Sequence, residues 1–481
     1  MSKLTFNSFI SISLNEESNI SRNNVNNAYL NGITVTYSDD FDCVIIKDCK
    51  NKKVGMLIGN PVSGSSFLVE DVRIDGDSWE IFENSVYEFS GRFIALGNIN
   101  GQNKVYLDAS GSLPLVYAAE KRIIASSPEL IFEENYDSKL DADLLHKMGM
   151  PKSGLWFPSG ITAHDGLCRL MPNHYLDLDQ WEMKRHWPLK EFRINSEPND
   201  LIGNIIQNVQ NTCAAIAAKY TPVFSITAGR DSRMLLACNK DRISQSKFFT
   251  FSKFPGSVDT HYARVFRDDF GLEHHFLKAE KPPTEEESQW LKRNGHCISG
   301  EIWKLQHSLI YYSGGNHAVL PAMGGEVGRA FYWKKEDNEK LQLTANVLLK
   351  RLGLPQMQKL IEASQKYIDE LPDLDFFTLL DLVYIEQRLG CWGNLSMYTG
   401  NSFAPHYLPL SSRAIFTNMI SLPAQYKVNQ EMPDKIIQEQ WPELIQYPFN
   451  AYQGLHKSKK LLEIAFLIPS YVYRKVKLIF S

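Results

Sequence analysis

Over roughly the first 190 residues, apolar and polar positions alternate in short runs: "GITVTYSD", "DCVIIKD", "KVGMLIG", "RFIALGNI", "KVYLDAS" and "LPLVYAAE". Gly, Asn and Asp separate them, which is the period-two pattern of half-buried strands joined by turns. Asn100-Gly101 falls between two of these runs and predicts a tight hairpin. The stretch "SGITAHDGLCRLMPNHYLDLDQWEMKRHW" predicts one more strand pair, and polar "INSEPND", Ile194 to Asp200, reads as a linker.

The period then changes. Leu201, Ile202, Ile205, Ile206, Val209, Cys213 and Ile216 recur at helical spacing. A strand over 222–226 follows, then a helix from about Ser232 and a strand in "KFFTFSKF". The next helix runs through "DTHYARVFRDDFG", and "LEHHFLKAE" reads as a strand after it. Strands alternating with helices predict a parallel sheet with crossover helices. Beyond about Asn338 the pattern is mostly helical.

The corner "SITAGRDSRMLL" is where chemistry is concentrated. A buried strand runs into small residues, then into Arg230, Asp231, Ser232 and a helix. Such a corner aims backbone N–H groups and a helix N-terminus at one spot and favours an anion, most often a phosphate. Thr227 and Ser232 add hydroxyls, Gly229 permits close approach, and Arg230 or Arg233 adds positive charge. Asp231 would repel a phosphate unless it holds a cation such as Mg²⁺. The competing reading is structural, with Asp231 and Ser232 capping the helix and the arginines solvated. The spacing is not that of a Walker A loop.

Thr227-Ala228-Gly229-Arg230-Asp231-Ser232 resembles the Ser-Gly-Gly-x-Asp-Ser pyrophosphate loop of the adenine-nucleotide α-hydrolase superfamily. Further segments, in order, resemble its asparagine synthetase branch. Phe251 to Gly256 followed by Asp259 matches a loop and the acidic residue opening the next helix. "FGLEHHFL" matches a strand, and "PAMGGEVGRAFYW" a diverged acidic loop that keeps Glu326. "YLPLSSRAIFTNMISLPAQYKV" matches a later segment, with Ser412 in place of an Asp. Asp108, Gly111, Pro114, Leu115 and Tyr117 resemble a class II glutamine amidotransferase segment. The glutaminase nucleophile is an N-terminal cysteine, whereas this chain reads Met1-Ser2-Lys3, so glutamine hydrolysis is not expected.

The resemblance implies an α/β fold: an αββα-type sandwich remnant over 1–193, then a parallel-sheet ATP pyrophosphatase domain with a helical C-terminal part over 194–481. It implies ATP bound through Ser225, Thr227, Ala228, Gly229, Asp231, Ser232, Thr250 and Phe251, with Mg²⁺ on Asp231 and Glu326. Arg230 and Lys457 would stabilise charge at the phosphates, and Arg388 matches a helical arginine of the family. A small-molecule carboxylate would be activated as an acyl-adenylate and passed to ammonia or an amine. A degenerate, non-catalytic nucleotide-binding or partner protein is the alternative.

Composition narrows the classes. Charged residues make up 22% and the net charge is −4, which argues against nucleic acid as a partner. Seven scattered cysteines without a Cys-x-x-Cys pair argue against zinc or a disulfide framework and for a cytoplasmic protein. His274-His275, adjacent on a strand, should point to opposite faces and be structural. No run reaches membrane-spanning length. "LLEIAFLIPSYVYRKVKLIFS" reads as a last helix docked on the core and broken at Pro469, the alternative being contact with a membrane surface or a partner.

Overall fold

The computed structural model describes residues 8–14, 25–132, 135–252, 257–279, 281–298, 300–400 and 403–452. Among the described residues the alternating half forms two largely antiparallel sheets. One has six strands, with Ile10–Ser13 between Ile123–Ala125 and Ile33–Ser38. The other has eight, with Ser90–Ile99 between Lys53–Ser63 and Gln102–Leu107 at its centre. Period-two alternation decides which side chains meet. Met56, Ile58, Ile94, Leu96, Val105 and Leu107 face the first sheet and share a core with Ile12, Ile33 and Val35. Their neighbours Leu57, Phe93, Ala95 and Tyr106 face the opposite way, under Phe82 and Val86 of the helix Trp79–Tyr87. The far side of the six-stranded sheet is covered by the short helix Glu129–Phe132. The layers therefore run helix, sheet, sheet, helix.

The hairpin forms where the sequence predicts it. Ser90–Ile99 and Gln102–Leu107 pair antiparallel, and Asn100 and Gly101 take φ of 52° and 83°. Both left-handed positions suit a turn whose twist matches the strands. Nothing stands within 4 Å of a Cβ placed on Gly101. Gly101→Ala should therefore cost only backbone strain, about 1 kcal/mol, in a denaturant titration. A loss several times larger would show that the site is crowded.

The second half is α/β. Helix α1 (Pro198–Lys219) leads into strand β1 (Thr221–Ser225). Helix α2 (Arg230–Ala237), strand β2 (Lys247–Phe251), helix α3 (Val258–Phe270) and strands β3 (His274–Leu277) and β4 (His317–Leu320) follow. Helix α1 starts inside the expected linker, because Pro198 sits in its first turn, where a missing N–H costs nothing. The four strands are parallel in the order β3-β2-β1-β4. The central side chains of β1, β2 and β4 are buried on both faces, while β3 is half-buried. Phe224, Phe248, Ala318 and Leu320 pack towards α1, α2 and α3, while Val223, Phe249 and Val319 pack towards Trp290, Trp303 and Leu348.

Among the described residues the chain beyond 344 is helical, including Ala345–Leu352, Gln358–Asp369, Arg413–Ser421 and Glu431–Gln440. A wide, π-type helical stretch runs from Tyr384 to Gly393. Leu144, Met148, Trp156 and Met171 of the first half share a core with Trp290, Trp303 and Leu348 of the second. Among the described residues no helix is long and apolar enough to cross a membrane. The apolar C-terminal segment lies outside the described residues.

Candidate functional site

Strand β1 has β2 on one side and β4 on the other, so the chain's successive crossovers from β1 run to one side while β4 closes the other. In open parallel sheets a crevice forms beyond the carboxyl ends of the strands at such a switch point, and ligands bind there. A cavity of about 310 Å³ opens at this place. Its walls include Ser225 at the end of β1, Phe249 and Phe251 on β2, Pro321 and Met323 after β4, and Trp392 of the π-type stretch. Ser225 and Phe251, both expected at a binding site, thus line one cavity.

The loop after β1 is tied from three directions. The Thr227 backbone N–H donates to Ser232 Oγ at 3.2 Å, the two hydroxyls lie 2.8 Å apart, and Gly229 N donates to Thr227 Oγ1 at 3.1 Å. Asp259, in the first turn of α3, accepts from Ala228 N at 2.8 Å. Behind the loop, Arg233 is fully buried and donates to the carbonyls of Ala228, Tyr447 and Pro448, while Asn450 N donates to Ala228 O. Arg233 is therefore a structural tie. Gly229 precedes α2 and has no side chain to cap it. The first-turn amides at the positive end of α2 thus lack a side-chain cap, and the loop reaches the cavity only through Ser225 at its start.

The charged residues of the loop are paired. Arg230 makes a two-pronged contact with Asp434, at 2.7 and 3.2 Å, and lies 4.1 Å from the Phe449 ring centroid. Asp231 accepts two hydrogen bonds from Arg329, at 2.9 and 2.7 Å. Arg329 also stands 3.8 Å from Glu326 Oε1. Glu326 Oε2 accepts from Gly324 N at 3.0 Å, and the Tyr384 phenol stands near the same carboxylate. Burial, with the neighbouring charge of Asp231, pushes the Glu326 carboxyl up to about 7. The turn Gly325–Arg329 approaches so closely that a Cβ on Gly325 would lie 2.8 Å from Asp231 Oδ1.

Asp231 and Glu326 do come together, as the sequence led us to expect, but they meet around a guanidinium. Mg²⁺ does not fit them in this arrangement. Both Asp231 oxygens are engaged by Arg329, and the near oxygen of Glu326 faces the same group. Among the described residues no cluster of three or more His, Cys, Asp or Glu could hold a metal ion.

Thr250 is buried on β2, where its hydroxyl donates to Ile226 O at 2.7 Å and meets His274 Nε2 at 2.9 Å, so its side chain serves the sheet. His275 instead approaches the Tyr311 hydroxyl at 3.1 Å. The Arg388 guanidinium lies 3.6 Å from the ring centroid of Trp392, a residue of the cavity wall. Lys457 and residues 253–256 of the loop after β2 lie outside the described residues. Sequence reasoning did not single out Arg329, Asp434 or the wall formed by Ile302, Leu305 and Leu309. In "GGEVGR" a cation three residues after an acid on a glycine-rich turn is the one available hint.

No family model matches the chain, and no curated protein matches it. Among solved structures, the NMN synthetase from Francisella tularensis aligns with 37% of this chain and 73% of its own, at 11% identity. The TM-score is 0.20, too low to carry an argument.

Proposed function

We propose that the chain is an ATP-dependent, amide-forming ligase of asparagine synthetase type, residues 1–193 forming an amidotransferase-like layer and 194–481 the ATP-using domain. The observation that carries the reading is the hydroxyl-bearing loop and uncapped helix N-terminus at the switch point of a parallel sheet, beside a largely apolar cavity. The phosphates lie over Thr227 to Ser232, where the first-turn amides of α2 and the helix dipole offset their charge. The carboxylate substrate attacks the α-phosphorus and pyrophosphate leaves. Ammonia or an amine then attacks the acyl carbon, expels AMP and forms the amide. Positioning and charge stabilisation supply the rate in this scheme.

Pairing of Arg230 with Asp434 favours a second reading, a nucleotide-binding protein without catalysis, because the loop's own arginine is already neutralised. ATP–pyrophosphate exchange with a panel of carboxylates separates the two. Exchange above background is expected, and Ser232→Ala should lower it about tenfold by loosening the Thr227 loop. Nucleotide binding without exchange would select the non-catalytic reading. Neither binding nor exchange would reject both.

A further inference from the structure

The turn bearing Glu326 and Arg329 is bracketed by left-handed residues, Gly324 at φ 107° and Ala330 at φ 55°. A left-handed alanine costs on the order of 1 kcal/mol, and such conformations persist where the surroundings impose them. Here Gln430 Nε2 donates to the carbonyl of Arg329 at 3.1 Å and fixes the turn's exit. The effect is to deliver Arg329 to Asp231, a residue 98 positions earlier, with both guanidinium–carboxylate bonds made. That planar, two-pronged fit is specific to arginine. About a quarter of the Arg329 side chain remains exposed, against 14% for Asp231 and 15% for Glu326. The cation is thus the most accessible member of the trio.

A Mg²⁺ ion needs oxygens at about 2.0–2.1 Å in near-octahedral array. It could use Asp231 only by displacing both hydrogen bonds to Arg329 and bringing two positive groups together. We propose that the Arg329 guanidinium is the resident cation of this corner, held by Asp231 and Glu326 in place of a divalent metal. An anionic ligand entering the crevice then meets a fixed guanidinium. That the anion is a polyphosphate rests on the proposed function; the cation assignment does not.

Mn²⁺ alone, titrated into the full chain and followed by the electron paramagnetic resonance signal of the free ion, tests the assignment without nucleotide. Wild type should have no Mn²⁺ site that Glu326→Gln removes. Arg329→Ala, which leaves two carboxylates facing each other, should gain a site at least about tenfold tighter than any in wild type. Adding Glu326→Gln to Arg329→Ala should abolish that gain, and Arg329→Lys, which keeps the charge, should not show it. Wild-type Mn²⁺ binding lost in Glu326→Gln would overturn the assignment, as would a folded Arg329→Ala that gains no site. If Arg329→Ala does not fold, the comparison of wild type with Glu326→Gln still decides. In a parallel arm with EDTA, a non-hydrolysable ATP analogue should bind wild type and lose about tenfold in affinity to Arg329→Lys. Absence of nucleotide binding with and without metal would reject the ligase reading and leave the cation assignment standing.

Discussion

Glu386→Gln should lower the free energy of unfolding by about 3–5 kcal/mol, because it leaves a buried arginine without its counter-charge. Glu386 is fully buried on the π-type stretch. Arg185, on the strand Glu182–Arg185 of the eight-stranded sheet, grips it at 2.6 and 2.8 Å. Asn173 Nδ2 and the Tyr367 hydroxyl each donate to it at 2.7 Å. Burial alone would raise the Glu386 carboxyl, yet Arg185 and these donors hold it below its ordinary value, and Arg185 is correspondingly raised. Both partners shift in the direction of a formed ion pair. Arg185→Met should cost a similar amount by stranding the carboxylate. The double variant Arg185→Met with Glu386→Leu should recover most of the loss, since apolar replacement of a whole buried pair is often neutral. Urea denaturation measures all three. Single-variant losses under about 1 kcal/mol would mean that water reaches the pair.

This cluster is more than a brace. The helical stretch that carries Glu386 also presents Tyr384 to Glu326 and Trp392 to the cavity. Arg413 donates to Asn173 Oδ1 at 2.7 Å and lies 3.9 Å from the Trp187 ring centroid, extending the tie into the antiparallel half. The geometry of the crevice wall therefore depends on contacts made with the other half of the chain.

The elements were legible in the sequence where the cause is local. The Asn100-Gly101 hairpin, the helical spacing from Leu201 and the alternation of β1 to β3 with helices all depend on residues a few positions apart. Composition likewise marked Thr227 to Ser232 as a special corner. The partners of its charges were not legible. Arg230 finds Asp434 at a separation of 204 residues and Asp231 finds Arg329 at 98, and nothing near either residue announces the match. A loop charge whose partner is distant reads as facing a ligand, which is why Arg230 looked catalytic and Asp231 metal-binding. The cavity was hidden for a related reason. Ile302, Leu305 and Leu309 repeat at helical spacing like any core residues, and only tertiary packing leaves space beside them.

Acidification from pH 7 to 5 should cost the chain about 2 kcal/mol for each buried histidine that the fold keeps neutral. Among the described residues four histidines are almost wholly buried: His164, His174, His186 and His406. Burial lowers His164 and His174 to about 4 and His406 to about 3, and drives His186 well down, with nearby cations adding to the shift in the last three. The unfolded chain protonates them at about 6.5, so below that pH it binds more protons than the folded chain and stability falls. Over 1.5 pH units each contributes about 2 kcal/mol. Buried carboxyls act the other way: Asp381 is raised to about 6 and Glu326 to about 7, so the folded state takes up protons first. With Asp108 and Asp231, which burial also raises, they offset part of the histidine loss. His164 isolates the effect. It lies against the rings of Phe132 and Tyr136, with no hydrogen-bond partner at either ring nitrogen. His164→Leu should flatten the stability–pH curve, gaining about 2 kcal/mol on wild type between pH 7.5 and 5. Parallel curves for the two proteins would mean that His164 is protonated within the folded core.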